Sequence, residues 1–556
     1  MKAKAVVSKW IIVFSALTAV QANAEVFENS GYRLDTSVLC DGLPQAPVAT
    51  LEGLCVGVLA GKKEGFKMPR YAVQSKEGVI YVTEMGGWAF GRGTVYAVYR
   101  GKDSSGVEKT GVVNLFPTKK LTMPNGIIID PEGRLYVGTP TAVVRFQPRD
   151  PKTGQFNIDT ATEVVVNDFA QSIFRKGEYA SAGSYNALEN RLKNKHPLIQ
   201  MAANRDFTEM YINVGAPSDD CGSGIKTIDE NGKCIQSESA LASAAVWKVT
   251  LSNDTQRKAV KVVPFSRGLR NSMALTVHPI SGLVLQGENG LDLPDEERPY
   301  EELNILEEGK HYGWPYCHSR GEVAPGFKNK VTGEMCAKNF ALPKIFMPAH
   351  TAPLGLLYYK GELLPQLKNK LLVGWHGYQK YGQRIVAYPV DELGTPTDSQ
   401  YQEVVFGWKA QEGVRPRGAP TGLTALNDGS VLVLDDKNGA LLRISSGKKA
   451  DEISEDPSKS HISEKTLQAF EPLVPFVKKN CAMCHSQFQK ATAKEMVLEM
   501  KGTMLNLSSP AESSFWLRMK AKEMPPEMIR PTLNFHDKDF DEVLPKVEAF
   551  INTLQK

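Results

Sequence analysis

Tyr71–Met85 reads YAVQSKEGVIYVTEM: apolar residues alternate with polar ones, a polar turn closes at Gly78, and a second alternating run follows. A period of two folded about a tight turn is the pattern of an antiparallel hairpin with one buried face. The unit returns as GIIIDPEGRLYVGTP at Gly126–Pro140 and as MAANRDFTEMYINVGAP at Met201–Pro217. It comes back as ALTVHPISGLVLQGEN at Ala274–Asn289, LLYYKGELLPQLKNKLLVGW at Leu356–Trp375 and GLTALNDGSVLVLDD at Gly422–Asp436. Most copies lead into a third apolar run: TVYAVYR, AVVRFQP, AAVWKVTL, RIVAYPV or ALLRISS. Such units at a spacing of several tens of residues predict radial repetition, a mainly β chain folded as a six-bladed β-propeller over residues 25–446. A β-sandwich with long insertions is the competing architecture, and six matched copies favour the propeller.

Upstream, residues 1–24 carry Lys2, Lys4 and Lys9, the apolar run Trp10–Val20, and Ala22-Asn23-Ala24. These are the three parts of a secretory signal peptide, with cleavage expected before Glu25. The apolar run is too short to span a bilayer comfortably, and nothing later is long and apolar enough. The expected product is a periplasmic protein with no membrane span after signal removal. With 66 basic against 62 acidic residues, the full sequence lacks the basic excess a nucleic-acid partner would require. A hydrophobic share of 42% is enough for a sizeable core and argues against overall disorder.

The cysteines sort by spacing. Cys40 and Cys55, Cys221 and Cys234, and Cys317 and Cys336 are local pairs, read as three disulfides suited to an oxidising compartment. Cys481 and Cys484 stand apart, beyond a polar linker at residues 447–463. From residue 464 the apolar spacing turns helical, in LQAFEPLVPFV before these cysteines and FDEVLPKVEAFINTL at the end. Residues 464–556 are expected to form a small all-α domain.

Within it lies Cys481-Ala482-Met483-Cys484-His485, the attachment pattern of a c-type haem. Two thiols one turn apart reach the two porphyrin vinyl groups, and the adjacent imidazole is carried to the iron. A zinc site would want further Cys or His ligands, and only His536 is near. For the sixth ligand Met524 is preferred, in Lys522-Glu523-Met524-Pro525-Pro526, with Met528 and His536 competing. The segment resembles a class I cytochrome c, in which the axial methionine commonly lies in such a Met-Pro turn.

A tethered electron carrier needs a donor, and the propeller carries a succession of motifs. His196 precedes the third hairpin and Gly268-Leu269-Arg270-Asn271 the fourth. Then come Gly287-Glu288-Asn289-Gly290, Glu302-Leu303-Asn304-Ile305-Leu306, Tyr312-Gly313-Trp314-Pro315, Pro348-Ala349-His350 and Gly374-Trp375-His376-Gly377-Tyr378-Gln379-Lys380. From about Pro69 to Ile444 this order resembles the soluble quinoprotein aldose-sugar, glucose and sorbosone dehydrogenases, propellers that use pyrroloquinoline quinone with calcium.

The resemblance implies a function: hydride transfer from a sugar or related polyol to the quinone, then electron passage through the haem to a periplasmic acceptor. It implies His196 as general base, a role that suits an imidazole near neutral pH. It puts Arg270, Asn271, His350, Lys380, Arg415 and Arg417 against the cofactor, where an arginine fork suits a carboxylate. Calcium would be held by the backbone carbonyls of Gly290 and Leu291, with a second ion near Glu302 and Tyr312. Two other readings stay open. Six-bladed propellers also host calcium lactonases, and a non-catalytic propeller could simply present the cytochrome.

Overall fold

The computed structural model describes residues 26–88, 91–102, 108–118, 120–150, 155–156, 162–167, 194–222, 228–408, 418–447, 463–482, 488–489, 491–501, 505, 510–522 and 530–554. Six antiparallel sheets follow one another along the chain, and each hairpin read from the sequence supplies the first two strands of one sheet. The first strands are Pro69–Gln74, Ile127–Ile129, Met201–Ala203, Ala274–Val277, Pro353–Tyr359 and Pro420–Ala425. Each packs against the first strand of the next blade, and the sixth returns to the first. Thr421 Oγ1 donates to Arg70 O at 2.8 Å and Thr424 Oγ1 to Ala72 O at 2.7 Å across that seam. The mainly β chain is a six-bladed β-propeller.

The turn chemistry explains the repeated glycine. In the second blade Gly133 sits at φ +83°, where a side chain is strained, and its N–H closes the turn on Asp130 O at 2.9 Å. The third and fifth blades put Phe207 and Asn369 at positive φ in the corresponding turn.

One feature escaped the sequence reading. Leu54–Ala60 pairs with Ala440–Ser446 and completes the sixth blade, so strands from near the two ends of the propeller sequence share one sheet. All of Leu54–Ala60 is buried. Ala49–Thr50 adds a fifth strand to the fifth blade by pairing with Gln402–Phe406. Closing the ring this way protects strand edges that would otherwise stand open. The Cys40–Cys55 disulfide ties this strap to its own upstream loop, and Cys221–Cys234 and Cys317–Cys336 form as read.

Toward the C-terminus, Glu464–Phe470, Val474–Asn480, Ala493–Lys501, Ser514–Lys520 and Asp539–Thr553 are helices. Ser463 caps the first by accepting from Thr466 N at 3.1 Å. The long last helix buries Phe540, Val543, Val547, Phe550 and Ile551, the helical spacing read from its sequence. It packs on the first helix, with the rings of Phe470 and Phe550 centred 4.8 Å apart.

Candidate active site

Strand direction alone gathers the site. In every blade the first strand begins, and the second ends, at the same mouth of the propeller. His196, Arg270, Asn271 and His350 precede first strands, whereas Gly290, Leu291 and Lys380 follow second strands. Residues far apart in sequence therefore share one opening. A groove on the opposite face, lined by Lys76, Glu77, Asp130 and Arg205, holds none of them.

His196 is fixed through Nδ1, which lies 2.5 Å from Ala216 O, and its backbone N–H donates to Asn194 Oδ1 at 2.9 Å. A carbonyl can only accept, so Nδ1 carries the proton and the neutral ring keeps its lone pair at Nε2. Burial, reinforced by the nearby Arg270 guanidinium, holds the imidazole well below its ordinary value. The ring sits this close because residue 215 is glycine.

Arg270 is buried, and its charge is already met. Its Nε donates to Asp219 Oδ1 at 2.6 Å, Nη2 reaches Asp219 and, at 2.9 Å, Asp292 Oδ2, and Nη1 reaches Asn289 O at 3.0 Å. Asp219 and Asp292 were not legible in the sequence. Asp292 is 82% exposed, so an incoming anion could displace it without stranding a charge. Beside it, Asn271 Oδ1 is buried without a hydrogen-bond donor among the described residues. An orphan acceptor next to a buried cation fits a ligand that carries both a polar donor and a carboxylate.

Three carboxylates lie behind this point. Glu288, Glu301 and Glu302 are buried, and no basic side chain among the described residues forms an ion pair with them. Burial pushes Glu288 and Glu301 up to about 7 and Glu302 to about 8, the last also repelled by Glu288. Glu301 Oε2 accepts from Gly290 N at 2.5 Å. The other two accept hydrogen bonds as well, Glu288 from Asn271 N at 3.0 Å and Gln286 Nε2 at 2.6 Å, and Glu302 from Ser319 N at 2.9 Å and Asn304 Nδ2 at 3.3 Å. The described carboxylates do not converge as a ready-made set of metal ligands. The predicted carbonyl ligands are no more distinct, since Leu291 O already accepts from Leu293 N at 3.0 Å. The Tyr312 hydroxyl is likewise engaged, by Ile305 O at 2.5 Å and Glu307 N at 3.0 Å.

The other predicted contacts occupy the rim. His350, at φ +58°, has its Nε2 2.7 Å from Asp295 O. Lys380 Nζ pairs with Glu297 at 2.8 Å, both side chains being more than half exposed. A single acidic loop thus touches Arg270, His350 and Lys380 in turn. Arg415 and Arg417 lie outside the described residues, as do Cys484, His485 and Met524. Cys481 follows the helix Val474–Asn480 and packs partly buried against the helical core.

Across the mouth, a group that sequence reasoning missed completes the rim. His376 Nε2 lies 2.9 Å from Asp436 Oδ1, and Asp436 Oδ2 meets Arg70 Nη1 at 2.5 Å. Burial alone would raise the Asp436 carboxyl; His376 and Arg70 outweigh it and hold it below the usual range. Arg70 Nε donates to Asn125 Oδ1 at 3.0 Å, and Asn125 Nδ2 to Ile199 O at 3.0 Å, back beside His196. On the other side Ala216 N bonds Arg270 O at 2.7 Å, Asn289 Nδ2 bonds Pro353 O at 3.0 Å, and His376 N bonds Ala352 O at 3.1 Å. A belt of hydrogen bonds runs through all six blades at the level of the site.

A propeller with an oriented imidazole, a buried arginine and three buried, hydrogen-bonded carboxyls at one mouth has the makings of a ligand-binding catalytic scaffold. Residues 194–391 match the family model described as glucose/sorbosone dehydrogenase, a span that includes His196, Arg270, Asn271, His350 and Lys380. An uncharacterized protein of Borreliella burgdorferi is 26% identical over 349 residues, 60% of this chain and 88% of that one. Aldose sugar dehydrogenase YliI of Escherichia coli is 31% identical over 111 residues, covering 20% of this chain and 28% of its own length. The pyranose dehydrogenase PQQ domain from Coprinopsis cinerea, solved in its holo form, superposes with a TM-score of 0.53 at 19% identity, over 73% of this chain and 99% of that one. A Trichoderma reesei carbohydrate-active enzyme of family AA12 gives 0.55 at 17% identity, over 72% and 98%. The two structures share the propeller fold.

Proposed function

We propose that the protein is an exported dehydrogenase that oxidises a sugar or related polyol at the propeller mouth, with pyrroloquinoline quinone and calcium as cofactors. Electrons then pass through a covalent haem c on residues 464–556 to a periplasmic carrier. The observation that carries the reading is His196, whose Nδ1 is committed to Ala216 O and whose Nε2 is left as a base beside Arg270.

When bound, the quinone supplies a hydride acceptor and calcium polarises it as a Lewis acid. The chain's own residues do the rest. His196 Nε2 takes the hydroxyl proton while the C–H hydrogen leaves with its electron pair. Arg270, held in plane by Asp219 and Asn289, offers its guanidinium to a carboxylate in place of exposed Asp292. Asn271 Oδ1 gives a buried acceptor. Cys481 and Cys484 would hold the haem, with His485 and Met524 on its iron.

The test is direct. Apoprotein is incubated with pyrroloquinoline quinone and Ca²⁺, then mixed with a panel of sugars and a dye acceptor. Cofactor-dependent dye reduction is expected. Acid release from lactones without dye reduction would replace the dehydrogenase by a hydrolase.

A further inference from the structure

Tyr312-Gly313-Trp314-Pro315 has no task in the reading above, yet Trp314 reaches the buried arginine of the site from two sides. The backbone here runs beside the turn that leads into Arg270, with Arg267 and His311 joined in a parallel bridge. Trp314 N donates to Gly268 O at 3.0 Å, two residues before Arg270. Its indole Nε1 donates to Asp219 O at 2.8 Å. Asp219 Oδ1 in turn takes both Nε, at 2.6 Å, and Nη2 of Arg270. The indole is buried in a cluster with Tyr316, Phe327 and the Cys221–Cys234 and Cys317–Cys336 disulfides, so its N–H has a fixed direction.

Exposure sorts the two acids on Arg270. The Asp219 side chain is 21% exposed and that of Asp292 82%, so Asp219 is the standing partner and Asp292 the replaceable one. Among the described residues, Trp314 alone bonds Asp219 besides Arg270 itself. The carbonyl that orients His196 lies three residues earlier, at Ala216, and Ala216 N is held directly by Arg270 O at 2.7 Å. Losing the indole bond therefore frees Asp219 and leaves the support of His196 in place.

We propose that Trp314 is a positioning residue for cofactor binding: its indole N–H holds Asp219 where that carboxylate orients Arg270 toward a carboxylate of the cofactor. The proposal rests on the dehydrogenase reading, with pyrroloquinoline quinone as the ligand. Trp314 acts through Asp219 and takes no part in the hydride step, so its loss should appear in cofactor affinity and not in turnover.

Trp314→Phe keeps an aromatic ring in the cluster and removes the donor. The dissociation constant of pyrroloquinoline quinone is measured by equilibrium dialysis on the full-length apoprotein with Ca²⁺. It should rise about tenfold in this variant, the worth of one lost hydrogen bond, with kcat at saturating cofactor within about threefold of wild type. Asp219→Ala should weaken binding at least as much. The double variant should bind no more weakly than Asp219→Ala alone, because the indole works through a carboxylate already removed. Tyr316→Phe is the structural control. It deletes the hydroxyl that accepts from Cys234 N at 2.8 Å in the same cluster, and should lower Tm while leaving cofactor affinity unchanged. Additive losses in the double variant, an unchanged constant in Trp314→Phe or an equal rise in Tyr316→Phe overturns the proposal. So does tighter binding by Asp219→Ala, which would make Asp219 a competitor for Arg270. Should Trp314→Phe fail to fold, Asp219→Ala still decides, since its side chain is partly exposed: affinity kept or raised there overturns the proposal. Absence of cofactor binding by the wild type rejects the parent reading and this role with it.

Discussion

Gly215 and His196 share a space that no other residue at position 215 could share. A Cβ on Gly215 would stand 2.6 Å from both the Cβ and the carbonyl oxygen of His196. The neighbouring Ala216 carbonyl fixes the ring tautomer, so one short backbone segment both admits and orients the imidazole. Gly215→Ala should push His196 out of line and lower kcat by roughly 10²-fold, the scale of a misplaced catalytic group. Thermal unfolding tells a local shift from a global one, and a collapse of Tm would show that Gly215 serves the fold instead.

Removing the base altogether should cost more. His196→Ala is expected to lower kcat by roughly 10²–10⁴, with cofactor affinity retained. Full activity in that variant would take His196 out of the mechanism.

The pH profile tests the environment of the same ring. Burial and Arg270 hold the imidazole well below its ordinary 6.5, so it stays neutral and basic as the medium turns acid. The acid limb of kcat/KM should therefore fall below pH 6.5, and a limb above that value would contradict the buried position. Protonating a group whose folded pKa is depressed favours the unfolded chain, so this histidine also withdraws stability as pH drops.

Glu288, Glu301 and Glu302 predict the opposite dependence. Each carboxyl has its folded value raised from 4.5, to about 7, 7 and 8 respectively, so the folded chain binds the extra protons. Their contribution to stability is present at low pH and is lost as pH rises through these values. Calcium should replace the missing positive charge once they ionise. Calorimetry should find a larger Ca²⁺-induced rise in Tm at pH 8 than at pH 5; equal shifts would place the cation elsewhere.

What the sequence disclosed was local. Tyr71–Met85 and its five sister hairpins pair neighbours, so alternation and turn residues suffice to find them. Leu54–Ala60 pairs with Ala440–Ser446 at the far end of the propeller, and no local pattern announces such a partner. The site divides in the same way. His196 and Arg270 stand in recognisable motifs at strand starts, whereas Asp219, Asp292 and Asp436 matter only because the fold sets each beside a distant arginine or histidine. The segment MPRY at Met68–Tyr71 did hold one overlooked signal, an arginine in an otherwise apolar first strand. Burial there requires a partner, and Asp436 is that partner.

The strap offers a stability test. The Cys40–Cys55 disulfide closes a sequence separation of 15 and locks the segment that finishes the sixth blade. Replacing both cysteines by serine should cost about 3 kcal/mol from loop entropy. Denaturant titration measures it, and an unchanged midpoint would mean that strand pairing alone secures the closure.

The helical segment shares one chain with the propeller. Oxidising a sugar releases two electrons as a hydride, whereas one haem accepts a single electron. Under the proposed function two successive transfers are needed for each turnover, each with the haem at the propeller mouth. Joining the two units through residues 447–463 replaces a bimolecular search by an effective concentration that dilution leaves unchanged. Under the proposed function, sugar reduces the haem within the same molecule, and the haem then serves a separate periplasmic carrier. Protein expressed with a haem-maturation system should keep its haem through acid-acetone extraction, because Cys481 and Cys484 would hold it by thioether bonds. Stopped-flow at saturating sugar should then give a haem-reduction rate constant independent of protein concentration. A rate rising in proportion to protein would mean transfer between molecules, and the covalent connection would have to serve some other end.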